Sequence, residues 1–186
     1  ACYVLADSLD GETASNSAQL VVESLIRSLG EHPTLRKGRL NRYIQEAHRE
    51  LRKMRGGMHL KASVILAVTD YRKLRCCHVG NSRLYLLRNA RFLLKTRDQS
   101  LTRNLLDEEK IPLDAAASHE ERNNLYSFLG GREKPKPIIS KKLRLEDGDI
   151  LELMTRGVWE NCTDEELLEI AKDAKEPDEV LNKAED

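Results

Sequence analysis

Hydrophobic residues follow two different spacings along this chain. They recur every three or four residues between positions 12 and 29 and again from about 40 to 54, which predicts two amphipathic helices. Residues 62–68 are continuously apolar, as expected for a strand that is covered on both faces. Further strands are predicted at residues 2–6, 74–79, 84–87, 91–95, 138–145 and 150–154.

The connections between most of these strands are short, which favours antiparallel pairing because parallel strands need long crossovers. A charged helical pattern at residues 101–110 and 113–122 predicts a small, exposed, flap-like insert at about 98–130. Thr163 and the acids that follow it predict a capped helix, and Pro177 opens a last helical segment. We therefore expect a single α+β domain over residues 1–186, in which helices cover the sheets.

The composition excludes several classes of function. The 31 basic and 31 acidic residues give a formal net charge of zero, so no net attraction to nucleic acid or membranes is expected. No apolar stretch approaches the roughly 20 residues that span a bilayer, and the first residues do not read as a signal peptide. The four cysteines lack the spacing of metal ligands and are expected to be reduced thiols. We expect a cytoplasmic protein.

Four segments carry family motifs in a recognisable order. They are residues 5–11 (Leu-Ala-Asp-Ser-Leu-Asp-Gly), 79–88 (Val-Gly-Asn-Ser-Arg-Leu-Tyr-Leu-Leu-Arg), 97–100 (Arg-Asp-Gln-Ser, followed later by His119, Arg122, Asn123, Leu129 and Gly130) and 146–160, which ends Thr-Arg-Gly-Val-Trp-Glu. This ordered set resembles the PPM-type metal-dependent serine/threonine protein phosphatases, the protein phosphatase 2C family. The resemblance covers residues from about 2 to 172. Two more acidic motifs of that family, one toward each terminus, are expected to lie outside this sequence.

The resemblance implies a fold and a mechanism. The fold is a four-layer α-β-β-α sandwich, in which two antiparallel sheets pack face to face between helices. In active members, carboxylates at one end of the sandwich hold two divalent ions, usually manganese or magnesium. A water that bridges the ions attacks the phosphorus of a phosphoserine or phosphothreonine. Hard cations of this kind take oxygen ligands, acidify bound water and stabilise the developing charge.

The metal-binding positions depart from the family pattern. Asp7 retains the first aspartate, and Ser8 replaces a glycine whose backbone carbonyl is a ligand, so these two are the ligands if any metal binds. Asn81 and Arg156 replace aspartates and are degenerate ligand positions. Residues 61–63 (Lys-Ala-Ser) stand where many members have Gly-Thr-Thr. A guanidinium is permanently protonated and has no lone pair for a metal.

We therefore predict a pseudophosphatase, a PPM-like domain with a degraded metal site, without an assigned catalytic residue or a cofactor, that acts as a regulatory or protein-binding module. Arg156 would either bind a phosphate group or form an ion pair with Asp7. The expected partner is a protein, with a phosphoprotein or a kinase-linked complex as candidates. The alternative is an active manganese- or magnesium-dependent phosphatase with a rearranged site that uses Asp7, Asp10 and acids outside this sequence. A third hypothesis is an assembly subunit that binds through its outer surface.

Other residues in these motifs have structural explanations. Trp159 is expected to anchor the core beneath the site, and His78 to be a packed histidine rather than a ligand. Ser82 and Arg83 are expected to hold the loop around Asn81 in shape.

Overall fold

The secondary structure follows the order that the hydrophobic spacing predicts. A computed structural model describes residues 1–9, 17–54, 60–112 and 120–173. Its strands are β1 (Cys2–Ser8), β2 (Ala62–Thr69), β3 (Lys73–Val79), β4 (Arg83–Arg88), β5 (Arg91–Lys95), β6 (Ile138–Ile139), β7 (Leu143–Arg144) and β8 (Ile150–Met154). Its α-helices are α1 (Ser17–Glu31), α2 (Lys37–Lys53), α3 (Leu101–Asp107), α4 (Arg156–Trp159) and α5 (Asp164–Asp173). A 3-10 turn covers Glu120–Asn123.

The strands form two antiparallel sheets. In the first sheet β1, β2, β3 and β6 lie side by side in that order, and β7 also pairs with β3. In the second sheet β4 lies between β5 and β8. The loop from β3 to β4 carries the chain from one sheet to the other, so the end of β3 and the start of β4 lie close together.

The layers are clearest along β2, where every residue is buried. Side chains alternate between the two faces of a strand. Val64 and Leu66 belong to a core shared with α1 and α2, whereas Ile65 and Ala67 belong to the core between the two sheets. A third core joins the outer face of the second sheet to α5, and its buried members are Tyr85, Leu87, Met154, Leu167 and Ala171. This arrangement is the α-β-β-α sandwich expected from the motifs.

The prediction of one continuous strand over residues 138–145 is wrong. β6 and β7 both pair with β3, but three residues (140–142) separate their paired positions where β3 has two (75 and 76). The extra residue makes a β-bulge. The hydroxyl of Ser140 accepts a hydrogen bond from the backbone N–H of Cys76 at 3.0 Å, and the Ser140 N–H donates to the Cys76 carbonyl at 2.9 Å. The bulge therefore leaves these strand groups satisfied.

The helical insert is shorter than predicted in its described part. α3 begins at Leu101, where the hydroxyl of Ser100 accepts from the Arg103 N–H at 3.1 Å, and it ends at Asp107 rather than at 110. Residues 10–16, 113–119 and 174–186 lie outside the described residues, and with them the predicted helical segments at 113–119 and after Pro177. None of the described helices is long and apolar enough to cross a membrane.

The capped helix predicted at Thr163 is confirmed. The Thr163 hydroxyl accepts a hydrogen bond from the Glu166 N–H at 3.2 Å, and the Thr163 N–H donates to the Glu166 carboxylate at 2.7 Å. This reciprocal pair is a capping box and satisfies two backbone donors at the start of α5.

A carboxyl group is buried beneath that helix. Glu152 on β8 pairs with Tyr85 and, by alternation, shares the face of Ile150 and Met154, which is the face that α5 covers. Both of its carboxyl oxygens are buried without a hydrogen-bond partner among the described residues. Burial raises the pKa of Glu152 to about 7. Below about pH 7 the folded protein therefore favours the protonated acid at this position.

We expect this acid to lower stability as pH rises. Below the ordinary pKa of 4.5 the group is protonated in both the folded and unfolded states, so it costs nothing. Between pH 4.5 and about 7 the unfolded chain releases the proton that the folded chain keeps, so stability falls and then levels off. Glu152→Gln should remove about 1–3 kcal/mol of this pH dependence, measured by urea unfolding between pH 5 and pH 8.

The control for this experiment is Glu169→Gln, which neutralises an exposed carboxylate on α5. It should leave the shape of the wild-type profile in place. A Glu152→Gln profile parallel to the wild-type profile would show that Glu152 does not carry the pH dependence.

Candidate functional site

The site begins at the end of β1, where Asp7 and Ser8 are the last two residues. The Ser8 hydroxyl oxygen accepts a hydrogen bond from the Ala18 N–H at 3.1 Å and lies 2.9 Å from the Ser17 hydroxyl. The Ser17 hydroxyl also lies 3.0 Å from the carbonyl oxygen of Lys61, just before β2. Ser8 therefore ties the first turn of α1 to the sheet edge beside Asp7.

Asn81 lies in the tight loop between β3 and β4. Gly80 shapes this loop with a φ of +95°, and a Cβ at that position would lie 2.6 Å from the Cβ of Ser63 on β2. The Ser82 hydroxyl continues the contact, 2.9 Å from the Ser63 hydroxyl. Asn81 is 4% exposed, and its Oδ1 is buried without a hydrogen-bond partner among the described residues. The loop thus holds a buried amide oxygen close to β2.

Arg83 braces the same loop. One guanidinium nitrogen lies 2.6 Å from Asp98 Oδ1, and the guanidinium carbon lies 3.4 Å from the centre of the Trp159 ring. Trp159 donates from Nε1 to the backbone carbonyl of Asn81 at 2.8 Å. Burial acts to raise the pKa of Asp98, but the charge of Arg83 and a hydrogen bond from Ser100 outweigh it and hold that pKa below its usual value. The expectation that Arg83 holds this loop is confirmed.

Arg156 is the first residue of α4, and only Thr155 separates it from the end of β8. Its Nε lies 3.2 Å from Glu160 Oε2, one helical turn later. Among the described residues Arg156 therefore forms its ion pair with Glu160. An ion pair with Asp7 was one of the two roles suggested for Arg156, and the structure does not show it. The charge of Arg156 still affects Asp7, because burial raises the pKa of Asp7 and Arg156 opposes that rise.

These residues converge on one cleft of about 640 Å³. It lies at the end of the sandwich where β1 and β8 end, β2 begins and the β3–β4 loop crosses between sheets. Asp7, Ser8, Asn81 and Arg156 all line it, together with Leu9, Lys61, Asn124, Leu125, Phe128, Thr155 and Gly157. Among these described lining residues Asp7 is the single carboxylate, whereas Lys61 and Arg156 are cations. Cations therefore outnumber carboxylates two to one in the described lining of the cleft.

Several lining residues were not assigned to the site from the sequence. Lys61 could have been assigned to the site from the sequence, because it stands where the family pattern has a glycine. Asn124 and Phe128 had none, since they come from the end of the insert, whose path over the cleft does not follow from residue spacing. Asp10 and His119 lie outside the described residues. His78 is buried, with Nε2 2.8 Å from the Arg97 carbonyl oxygen, as expected for a packed histidine.

Two sequence relatives are protein phosphatases. A stretch of 97 residues is 32% identical to the serine/threonine protein phosphatase PstP of Mycobacterium tuberculosis and covers 52% of this chain and 18% of that protein. A stretch of 106 residues is 27% identical to the protein phosphatase PhpP of Streptococcus pneumoniae and covers 57% of this chain and 42% of that protein. The chain therefore matches less than half the length of these relatives. No protein-family model matches it.

Solved structures share the fold over nearly the whole chain. The serine/threonine phosphatase of S. agalactiae superposes with a TM-score of 0.87 at 19% identity and covers 98% of this chain and 78% of that one. The catalytic domain of PstP in complex with two manganese ions superposes with a TM-score of 0.80 at 20% identity and covers 99% of this chain and 79% of that one. At these identities the superpositions establish the fold alone.

Two antiparallel sheets between helical layers, with a cleft at one end, define the class of PPM-type phosphatase folds. The sequence relatives and the shared fold support the resemblance indicated by the motifs. The chain has the fold of the PPM-type phosphatases and is similar in sequence to serine/threonine protein phosphatases over about half of its length.

The close approach of the β3–β4 loop to β2 generates a stability prediction. Gly80→Ala places a Cβ against Ser63 in a left-handed backbone conformation. We expect it to lower the free energy of unfolding by about 2–4 kcal/mol through strain and overpacking, as measured by urea denaturation. Gly30→Ala on α1 meets nothing within 4 Å and should instead stabilise the protein by about 0.5–1 kcal/mol. Equal stability of the two variants would contradict the role assigned to Gly80.

Proposed function

We propose that this domain is a catalytically inactive PPM-type module that regulates or binds other proteins. The observation that carries the proposal is Arg156 in the cleft, at the position where the family pattern has a metal-binding aspartate. Exchanging a carboxylate for a guanidinium changes the local charge by two units. A unit charge about 4 Å from another of like sign is repelled by about 4 kcal/mol at an effective dielectric of 20, and a divalent ion doubles that figure.

The donors that the described residues bring to the cleft do not fit a pair of divalent ions. Asp7 offers one carboxylate, Ser8 a backbone carbonyl, and Asn81 a neutral amide oxygen. Hard divalent cations are usually held by several anionic oxygens. Within the described residues no group of three or more His, Cys, Asp or Glu side chains is placed to hold a metal. We therefore propose no metal cofactor and no hydrolytic step for this domain.

The cleft is suited to an anionic partner. A guanidinium binds carboxylate or phosphate oxygens in a bidentate manner, and Lys61 adds a second positive charge to the same cleft. We propose a protein partner in the cytoplasm, with a phosphoprotein or a kinase-linked complex as the candidates that this chemistry favours. Glu160, which directly follows α4, pairs with Nε of Arg156, and a ligand can share the guanidinium with it.

Metal titration tests the proposal. Calorimetric titration of the wild-type chain with manganese should detect no site of micromolar affinity. The double variant Asn81→Asp/Arg156→Asp restores two carboxylates to the cleft and should bind manganese at least about tenfold more tightly than the wild type. Two manganese ions bound by the wild type at micromolar affinity would overturn the proposal.

The fold shared with the manganese-bound PstP domain favours the competing function, an active phosphatase with a rearranged site. That function requires manganese-dependent release of phosphate from a phosphopeptide, and its loss in Asp7→Ala. We expect the wild type and Asp7→Ala to release phosphate equally slowly. Turnover that depends on both manganese and Asp7 would replace the proposed function with this one.

A further inference from the structure

A second cavity of about 430 Å³ adjoins the cleft. It shares Lys61 and Phe128 with the cleft, and its other walls come from residues 126–135, the segment that follows the helical insert. Neither the family motifs nor the proposed function uses this cavity, which we call the loop pocket. Its volume lies in the range of about 300–1,000 Å³ that is typical of ligand sites.

The loop pocket is built by hydrogen bonds from outside the segment. Gln45 on α2 donates from Nε2 to the Pro135 carbonyl at 3.0 Å, and Gln99 donates from Nε2 to the Lys136 carbonyl at 2.7 Å. The Lys136 N–H donates to the Ser127 hydroxyl at 3.1 Å and closes the segment on itself. Segment 126–136 therefore has a defined shape before any ligand binds, which lowers the ordering cost of binding.

Two adjacent glycines fix the path of the chain at the pocket wall. Gly130 has a φ of +82° and donates its N–H to Nδ1 of the buried His48 at 3.1 Å. A Cβ on Gly130 would lie 2.0 Å from the Leu60 carbonyl oxygen. A Cβ on Gly131 would lie 2.8 Å from Cε2 of Phe128 and would push that ring from its place in the pocket wall.

The rim of the loop pocket is positively charged. Among the described residues that line it, Lys61, Arg132 and Lys134 are cations and Glu133 is the one acid. Two further exposed cations, Arg42 and Arg49, lie three residues before and four residues after Gln45 on α2, so they flank the attachment point at Pro135. The chain as a whole has no net charge, which makes this concentration of cations a local feature.

The floor of the pocket is apolar. It contains Phe128, the buried Pro135 and part of the half-exposed Tyr126. The Lys61 ammonium lies 5.2 Å from the centre of the Phe128 ring, so cation and apolar surface meet at the boundary with the cleft. A ligand that satisfies both surfaces carries an apolar side chain and several negative charges close together.

We propose that the loop pocket and the edge of the cleft bind an acidic peptide segment of the partner protein, with one apolar side chain seated on Phe128 and Pro135. This proposal rests on the proposed function as a protein-binding module and names the chemistry of its partner. A peptide fits better than a nucleic acid, because the concavity accommodates a single side chain and the chain has no overall positive field to attract a polyanion.

The test uses the whole chain in EDTA, so that its result does not depend on any metal. The probe is a fluorescein-labelled heptapeptide of aspartate and glutamate with one central phenylalanine, and binding is followed by fluorescence anisotropy. We expect saturable binding that weakens about threefold to tenfold in Arg132→Gln and in Lys134→Gln, because each removes one rim charge. Gly131→Ala should weaken binding about tenfold without any change of charge, because it displaces the pocket wall.

The matched control is Arg91→Gln, which removes an exposed cation beside the β4–β5 turn, at the opposite end of β4 from the cleft. It should bind the peptide like the wild type, and thermal unfolding checks that all variants are folded. Equal binding of a peptide with lysines in place of its acids, loss of binding in Arg91→Gln, or tighter binding of a single-stranded oligonucleotide would each overturn the proposal. Absence of saturable binding would also overturn the peptide proposal. The proposed function would still stand in that case if the wild type bound no manganese and released no phosphate.

Discussion

The position of Asn81, and with it the shape of the cleft, depends on the guanidinium of Arg83. Its charge is neutralised by Asp98 on one side, while the Trp159 ring covers it on the other. Trp159 then holds the backbone of Asn81 through its indole N–H. Because both the ion pair and the ring contact are largely shielded from water, they are stronger than similar contacts at an exposed surface. The contacts among Arg83, Asp98 and Trp159 therefore link the β3–β4 loop, the start of the insert and α4.

The scaffold that the motifs indicate is thus present, while several side chains of the cleft depart from the family pattern. The tight loop at Gly80, the strand end at Asp7 and the bracing tryptophan occupy the positions that the motifs indicate. The departures lie in side chains that line the cleft, where Asn81 and Arg156 replace aspartates of the family pattern and Lys61 replaces a glycine. A protein-binding role requires only that the cleft keep its shape and charge. Such a role does not require metal donors, so the architecture can persist without them.

Much of the fold was predictable because the strongest sequence patterns belong to its best-buried elements. The apolar run of β2 and the helical spacing of α2 both predicted elements that the structure confirms. The break between β6 and β7 was not predictable, because a bulge changes the register by one residue without changing the apolar character of the segment. α4 spans four residues, which is too short for a periodic pattern, so the pairing of Arg156 with Glu160 along it went unforeseen.

The fixed charge at position 156 has a consequence for how the cleft responds to its surroundings. A bound ion can be lost to chelators or exchanged for another metal, and its occupancy follows the local supply. A guanidinium is joined covalently to the chain and stays protonated at every pH at which proteins fold. The positive charge that Arg156 contributes to the cleft therefore stays the same when divalent ions are scarce and when the pH changes modestly.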